Sequence, residues 1–359
     1  MNMSSPTSSL KLLLGAFITF SFCLGSQAAE GSLSAMEKRL AAAPDNIKLR
    51  IQFAAELGHK KGSEQKIIDT LNPYADEVPL ESQLLLAAAY NGLKKFKDEV
   101  RVLKKVVEKA PTNHEAYYIL GHAHLNAKEQ VDAVASFRRA IKLNRAYREA
   151  YEALLMIFEK AGDNYESRIV LKDMQKQFGK DPSSMSHLCR LDSTDGYLDA
   201  AILNCQKAIK MDSKKPDNHV YLAQSLSDKK NESKAGKVLI TASKKYPKSE
   251  FVQWAAGQYY FKQNNYPVAA KYFNRAVTAN DKSARAYLGF ALSIFEQKKY
   301  DEALKAFMSA CEIDESVLEK LREAQGKLRS IKEDDWSKRY SREVYECKKR
   351  RNEKAKSEG

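Results

Sequence analysis

A period of 34 residues runs through this chain without an insertion or deletion. Blocks begin at Leu80, His114, Arg148, Pro182, Pro216, Glu250 and Ala284, and the register holds to Val317, giving seven units. A fixed period of a few tens of residues constrains the fold more than any local pattern, because each block is then one supersecondary unit stacked on its neighbours. Numbering positions within a unit, the eighth reads Ala87, Gly121, Leu155, Cys189, Ala223, Gly257 and Ala291. The twentieth reads Glu99, Ala133, Ser167, Ala201, Ala235, Ala269 and Ala303, and the twenty-seventh Val106, Ala140, Met174, Ala208, Ala242, Ala276 and Ala310. Small side chains thus return in phase at three places.

Small residues in both halves of a unit let two helices approach closely, while bulky neighbours fill the flanks. Position 24 (Leu103, Phe137, Leu171, Cys205, Leu239, Phe273, Phe307) and position 11 (Tyr90, His124, Phe158, Asp192, Leu226, Tyr260, Ile294) supply that bulk. The unit is therefore a helical hairpin. Asp192 is a defect in its position, and the unit from Pro182 is expected to be bent or irregular. Turn signals such as Gly162-Asp163 and Asn264-Asn265 fall mid-unit, and Pro111 and Pro247 fall near unit ends, where proline stops a helix. Only 15 Gly and 9 Pro in 359 residues leave too little turn punctuation for an all-β sandwich or barrel. With 43% apolar residues the chain has enough material for a sizeable core.

With Tyr117, Leu120, Gly121, Ala133, Phe137 and Ala140 in one unit and Tyr287, Ala291, Ala303, Phe307 and Ala310 in another, the chain resembles the tetratricopeptide repeat (TPR) family. The resemblance implies an all-α fold, an α-solenoid in which helix-turn-helix units wind into a right-handed superhelix. The expected units are 80–113, 114–147, 148–181, 182–215, 216–249, 250–283 and 284–317. A degenerate, slightly slipped unit over 46–79 and an N-terminal helix over 29–45 precede them. Stacked repeats need polar caps at their ends. Residues 318–359 supply one: Leu318, Leu321, Ala324 and Leu328 continue the helical phase, and Trp336, Tyr340, Val344 and Cys347 mark a further helix.

Residues 1–28 read as a signal peptide. Lys11 precedes an apolar stretch from Leu12 to Gly25, and Ser26-Gln27-Ala28 places small residues before an expected cleavage after Ala28. That stretch is shorter than the roughly 20 residues of a membrane span, so no transmembrane helix is expected in the mature chain, which is assigned to the periplasm or the exterior. Cys23 follows the bulky Phe22, which argues against lipid attachment. Four cysteines remain. Cys189 and Cys205 occupy positions 8 and 24 of one unit, which face each other across the hairpin, so they are expected to pair, leaving Cys311 with Cys347. The alternative for both pairs is free, buried thiols.

No nucleophile–base pair, phosphate cradle or metal-ligand spacing stands out, so neither an enzyme, a metal site nor a cofactor is expected. His122 and His124 point to different sides of a helix. The family resemblance implies that positions 2, 5, 9, 12 and 13 line the concave side. There Phe251, Trp254, Gln258 and Phe261 fall in one unit and Leu288, Leu292 and Phe295 in the next, an apolar patch suited to a peptide or helix of a protein partner. The alternative occupant is the chain's own tail, through Trp336 and Tyr340. Farther up, Glu115, Tyr118, Glu149, Glu152 and Glu159 make the groove acidic. The family's carboxylate-clamp residues are missing from position 5. The net charge of +14 favours anionic contacts, and the run Lys348-Lys349-Arg350-Arg351 is either a solvated tail or a contact for an acidic envelope surface or lipid, while export argues against nucleic acid. The expected role is an exported interaction scaffold of an envelope protein assembly. The alternative is an accessory subunit of an envelope glycan or lipid enzyme.

Overall fold

Helices start at Leu80, His114, Arg148, Pro182, Asp217, Glu250 and Ala284, so the period of the sequence is also a period of the backbone, one residue late at Asp217. A computed structural model describes the backbone of residues 26–314 and 316–358 and the side chains of 33–314, 316–347 and 349. The segment up to residue 25, with Lys11 and Cys23, and the side chains of Lys348, Arg350 and Arg351 lie outside the described residues. The described residues are helical with no strand, and no helix among them is long and apolar enough to cross a membrane.

The chain divides into two units, 1–179 and 180–359. In the first, α1 (Ser26–Ala42), α2 (Ile47–Gly58) and α3 (Glu64–Leu71) precede the hairpins α4 (Leu80–Gly92) with α5 (Phe96–Lys109), α6 (His114–Asn126) with α7 (Gln130–Leu143), and α8 (Arg148–Ala161) with α9 (Asn164–Phe178). The second holds α10 (Pro182–Thr194) with α11 (Leu198–Met211), α12 (Asp217–Asp228) with α13 (Glu232–Lys245), and α14 (Glu250–Lys262) with α15 (Tyr266–Ala279). It continues with α16 (Ala284–Glu296), α17 (Tyr300–Ile313), α18 (Val317–Ser330) and α19 (Asp334–Glu358). Within this unit each helix packs on the next, and the first helices of successive hairpins also touch directly, α10 on α12, α12 on α14 and α14 on α16. The architecture of each unit is a stack of antiparallel hairpins.

Every hairpin turns on one device. Position 15 holds a left-handed residue in all seven repeats, with φ between 57° and 78°: Lys94, Lys128, Gly162, Gly196, Lys230, Asn264 and Lys298. The amide after it donates back to the carbonyl of position 11, as from Lys95 to Tyr90 (2.9 Å) and from Asn265 to Tyr260 (3.0 Å). This is a Schellman closure, which satisfies carbonyls orphaned at the helix end. The same closure recurs one period later, where Lys332 is left-handed and Glu333 donates to Leu328 (2.9 Å). Helices α18 and α19 therefore form an eighth hairpin in register, which the sequence pattern hides because Gln325 and Ser341 occupy positions 8 and 24.

All residues of positions 20, 24 and 27 are buried, as are those of position 8 except the half-buried Leu155. The pairing of small with large is steric. A Cβ on Gly121 would sit 2.6 Å from the Phe137 ring, and one on Gly257 would sit 2.8 Å from the Phe273 ring. Phe273 is also met from the next hairpin, where a Cβ on Gly289 would lie 2.4 Å away. In the unit from Pro182, Cys189 and Cys205 take the same two positions, both fully buried, with Cα atoms 4.6 Å apart; Cys311 and Cys347 stand 6.3 Å apart. That unit is not irregular. Asp192 is buried but accepts a hydrogen bond from Asn204 (2.7 Å), so the carboxylate keeps a partner and both helices run their usual lengths.

Gly121→Ala is expected to destabilise the chain by about 1 kcal/mol, because overpacking of about 1–3 kcal/mol exceeds the gain of about 1 kcal/mol in helix propensity. Phe137→Leu opens the space the methyl needs, so thermal melts of the single and double variants should show losses that do not add.

Candidate binding surfaces

The contact of α12, α14 and α16 brings position 2 of three successive repeats, Asp217, Phe251 and Arg285, onto one row of first helices. Phe251 and Trp254 lie near-parallel, centroids 6.1 Å apart and planes 18° apart, and Tyr221 meets Phe251 edge-on at 5.7 Å. The Arg285 guanidinium stands 4.9 Å from the centroid of each of the two stacked rings, within cation–π range. Its orientation is held by Glu250: Nε donates to Oε1 at 2.9 Å and a terminal nitrogen donates to Oε2. Ser283 Oγ adds a third bond to Oε1 at 2.7 Å. Burial disfavours the Glu250 carboxylate, but the bonds from Arg285 and Ser283 outweigh it and hold the group below its ordinary range. Asp217 moves the other way, raised by burial that the Arg285 charge only partly offsets. Phe251, Trp254 and Gln258 remain half-buried, as does Phe261, which packs edge-on to Tyr266 at 5.3 Å.

The rest of the expected patch is differently placed. Leu288 and Leu292 are half-buried against the same cluster that Trp336 and Val344 pack on. Phe295 is 4% exposed, flanked by Tyr300 (5.3 Å) and Tyr340 (6.0 Å) and capped by the Lys327 ammonium at 5.7 Å. It offers no ring to a partner, because the eighth hairpin has taken that area. Tyr340 itself is fully buried and donates to the Tyr300 carbonyl at 2.9 Å. The tail residues Trp336 and Tyr340 thus cover α16 and α17, while Phe251 and Trp254 belong to the core around α12 to α14. Of the basic run, Lys349 is exposed.

In the first unit Tyr118 is likewise internal, 8% exposed and surrounded by His122 (4.6 Å), Tyr147 (5.1 Å) and Phe137 (5.6 Å). Burial, with a contribution from Glu149 and Glu152, pushes its hydroxyl up to about 12. Burial holds His122 down at about 4, so its imidazole is neutral. His124, Glu129 and Asp132 bring ligand-type atoms within 4.8 Å of one another. The 2.6 Å contact between His124 Nδ1 and Glu129 accounts for the buried ring, and Asp132 is exposed at the rim.

A cleft of about 380 Å³ opens between α2, α4 and α6, floored by Ile51, Leu84, Leu85, Ala88 and Ile119. Sequence reasoning missed it, because its first wall belongs to the slipped segment before the gapless repeats. One signal was present: Glu99 sits at position 20, where the other repeats carry Ala or Ser. It is 2% exposed and lines the cleft, with Asn91 Nδ2 donating to both carboxylate oxygens (3.0 and 2.9 Å). Burial outweighs those bonds and pushes its carboxyl up to about 7.

A family model described as tetratricopeptide repeat matches residues 100–151 and 255–316. Anaphase-promoting complex subunit 3 of Schizosaccharomyces pombe is 26% identical over 141 residues, 38% of this chain and 20% of that protein, so the match spans about a fifth of the relative. Among solved structures, the Cut9 and Hcn1 hetero-tetramer of APC/C is similar at 17% identity over 74% of this chain and 52% of that one, with a TM-score of 0.39. Pseudomonas aeruginosa pilF is similar at 18% identity over 55% of this chain and 89% of that one, with a TM-score of 0.46.

Glu99 gives a signed expectation. Its carboxyl is raised in the folded chain, so folding favours the protonated form and stability falls as pH rises from the ordinary carboxyl range to about 7. Glu99→Gln should be more stable than the parent by roughly 1–3 kcal/mol at pH 8 and by little at pH 4. Thermal melts at the two pH values measure the difference.

Proposed function

We propose that this tetratricopeptide-repeat chain is an exported, noncatalytic scaffold that holds a protein of an envelope assembly, with the surface around Phe251 and Trp254 as its receptor. The observation that carries the reading is that stack: two half-buried aromatic rings on one first helix, topped by an Arg285 whose direction Glu250 and Ser283 hold. Large, partly exposed aromatic side chains with a neighbouring arginine are the residue types that dominate binding energy when a partner buries them. Their orientation is already paid for in the free chain, which lowers the entropy cost of capture. Gln258 and Phe261 extend the same face, and Leu288 and Leu292 form its border toward the eighth hairpin.

Export is supported by Lys11, the apolar stretch Leu12 to Gly25 and the small residues at Ser26 and Ala28. In that compartment Cys189 pairs with Cys205 and Cys311 with Cys347, since each pair stands within the Cα separation a disulfide spans. The second bridge ties α19 to α17, and the basic run beyond it, Lys348 to Arg351, makes a secondary contact with an anionic surface.

Replacing Phe251 and Trp254 together by Ala is expected to abolish capture of the partner from crosslinked native cells while the helical circular dichroism persists, with a lowered melting temperature because both rings also pack on the core around α12 to α14. Capture that survives the double change removes this surface from the reading. Non-reducing peptide mapping of the protein isolated from its own host should recover Cys189 joined to Cys205 and Cys311 joined to Cys347.

A further inference from the structure

Deepening the scaffold reading, we propose that the cleft between α2, α4 and α6 is a second docking site in the first unit, for an apolar peptide segment of a protein partner that carries Lys or Arg side chains. The lining is largely aliphatic, Ile51, Leu84, Leu85 and Ile119 among it. Its ionisable members are three carboxyl groups and one exposed imidazole, His59. Glu81, Glu99 and Glu115 line the cleft, and no described lining residue is Lys or Arg. Glu81 and Glu115 occupy the second position of consecutive repeats, and Glu149 repeats that placement one unit on. Glu81 and Glu115, one hairpin apart, therefore border the apolar floor, and the register of the fold sets their spacing.

The sign is what selects the occupant. The chain as a whole carries +14, so a cationic peptide is repelled by the average surface and attracted at this cleft. An acidic peptide meets the reverse. Complementary charge at the rim of an apolar groove chooses among partners and sets their register more than it adds affinity. The buried Glu99 carboxyl, with Asn91 at 2.9–3.0 Å, lies where an inserted ammonium or guanidinium would face it.

The test uses the full mature chain and two labelled synthetic peptides, one alternating leucine pairs with lysines and one with glutamate at every lysine position. Fluorescence anisotropy at low salt should show the lysine peptide binding at least about tenfold more tightly than the glutamate peptide, with the preference shrinking as salt is raised. Glu81→Gln with Glu115→Gln should erase the preference, and Leu84→Ser should weaken the lysine peptide by about tenfold. The charge-matched control, Glu319→Gln with Glu323→Gln on α18, should leave binding as it was. Failure of the lysine peptide to bind, a preference for the glutamate peptide, or lysine-peptide binding indifferent to the Glu81 and Glu115 changes overturns the proposal. So does concentration-dependent self-association that the Leu84 change abolishes, since the cleft would then belong to a second copy of the chain. The scaffold reading is scored separately through Phe251 and Trp254, so either can fail alone.

Discussion

Helix-to-helix approach inside each hairpin is the constraint on which the rest depends. Gly121 and Gly257 leave no room for a methyl against Phe137 and Phe273, so the two helices of a hairpin meet ring against backbone. A close-packed interface of this kind tolerates volume only in matched pairs. Where position 24 is Leu103 or Leu239 the opposing residue is Ala87 or Ala223, Phe307 meets Ala291, and where both positions are cysteine, Cys189 and Cys205, the Cα atoms stand 4.6 Å apart. The hairpin is conserved as a shape while its residues change.

The turn adds a second constraint of equal regularity. A left-handed residue at position 15 ends every first helix, although only Gly162 and Gly196 are glycines there and the others are Lys or Asn. Lys in that conformation costs on the order of 1 kcal/mol. The cost is offset locally, because each such residue enables the closing bond from position 16 to position 11 and starts the second helix in register. This geometry also reveals the eighth hairpin, whose turn at Lys332 and Glu333 is built like the others although its packing positions differ. Its second helix covers Phe295 with Tyr340, so the end of the stack is closed by a modified repeat.

The two candidate surfaces differ in chemistry for reasons visible in one repeat position. At position 2 the first unit has Glu81, Glu115 and Glu149, whereas the second has Ser183 and then Asp217, Phe251 and Arg285. In the first unit Glu81 and Glu115 thereby line an aliphatic cleft, and in the second Phe251, with Trp254 beside it, is topped by a fixed cation. The row around Phe251 and Trp254 was legible from the amino acids, since those residues sit outside the packing positions. Phe295 and Tyr118 occupy equivalent positions and are nevertheless buried, one by the eighth hairpin and one by the rings of His122, Tyr147 and Phe137. The cleft beside Glu99 was not legible, because the segment forming its first wall departs from the period.

By itself the sequence determined the repeat, the helical hairpin and the small-against-large pairing, because a strict period imposes the same steric problem seven times and leaves one solution. Tertiary structure alone decided which inner positions stay accessible, that Lys332 opens an eighth hairpin, and that Glu99 is buried at a cleft. Accessibility is a property of what packs over a residue, and the covering elements come from other repeats whose own packing positions carry no mark of what they will cover.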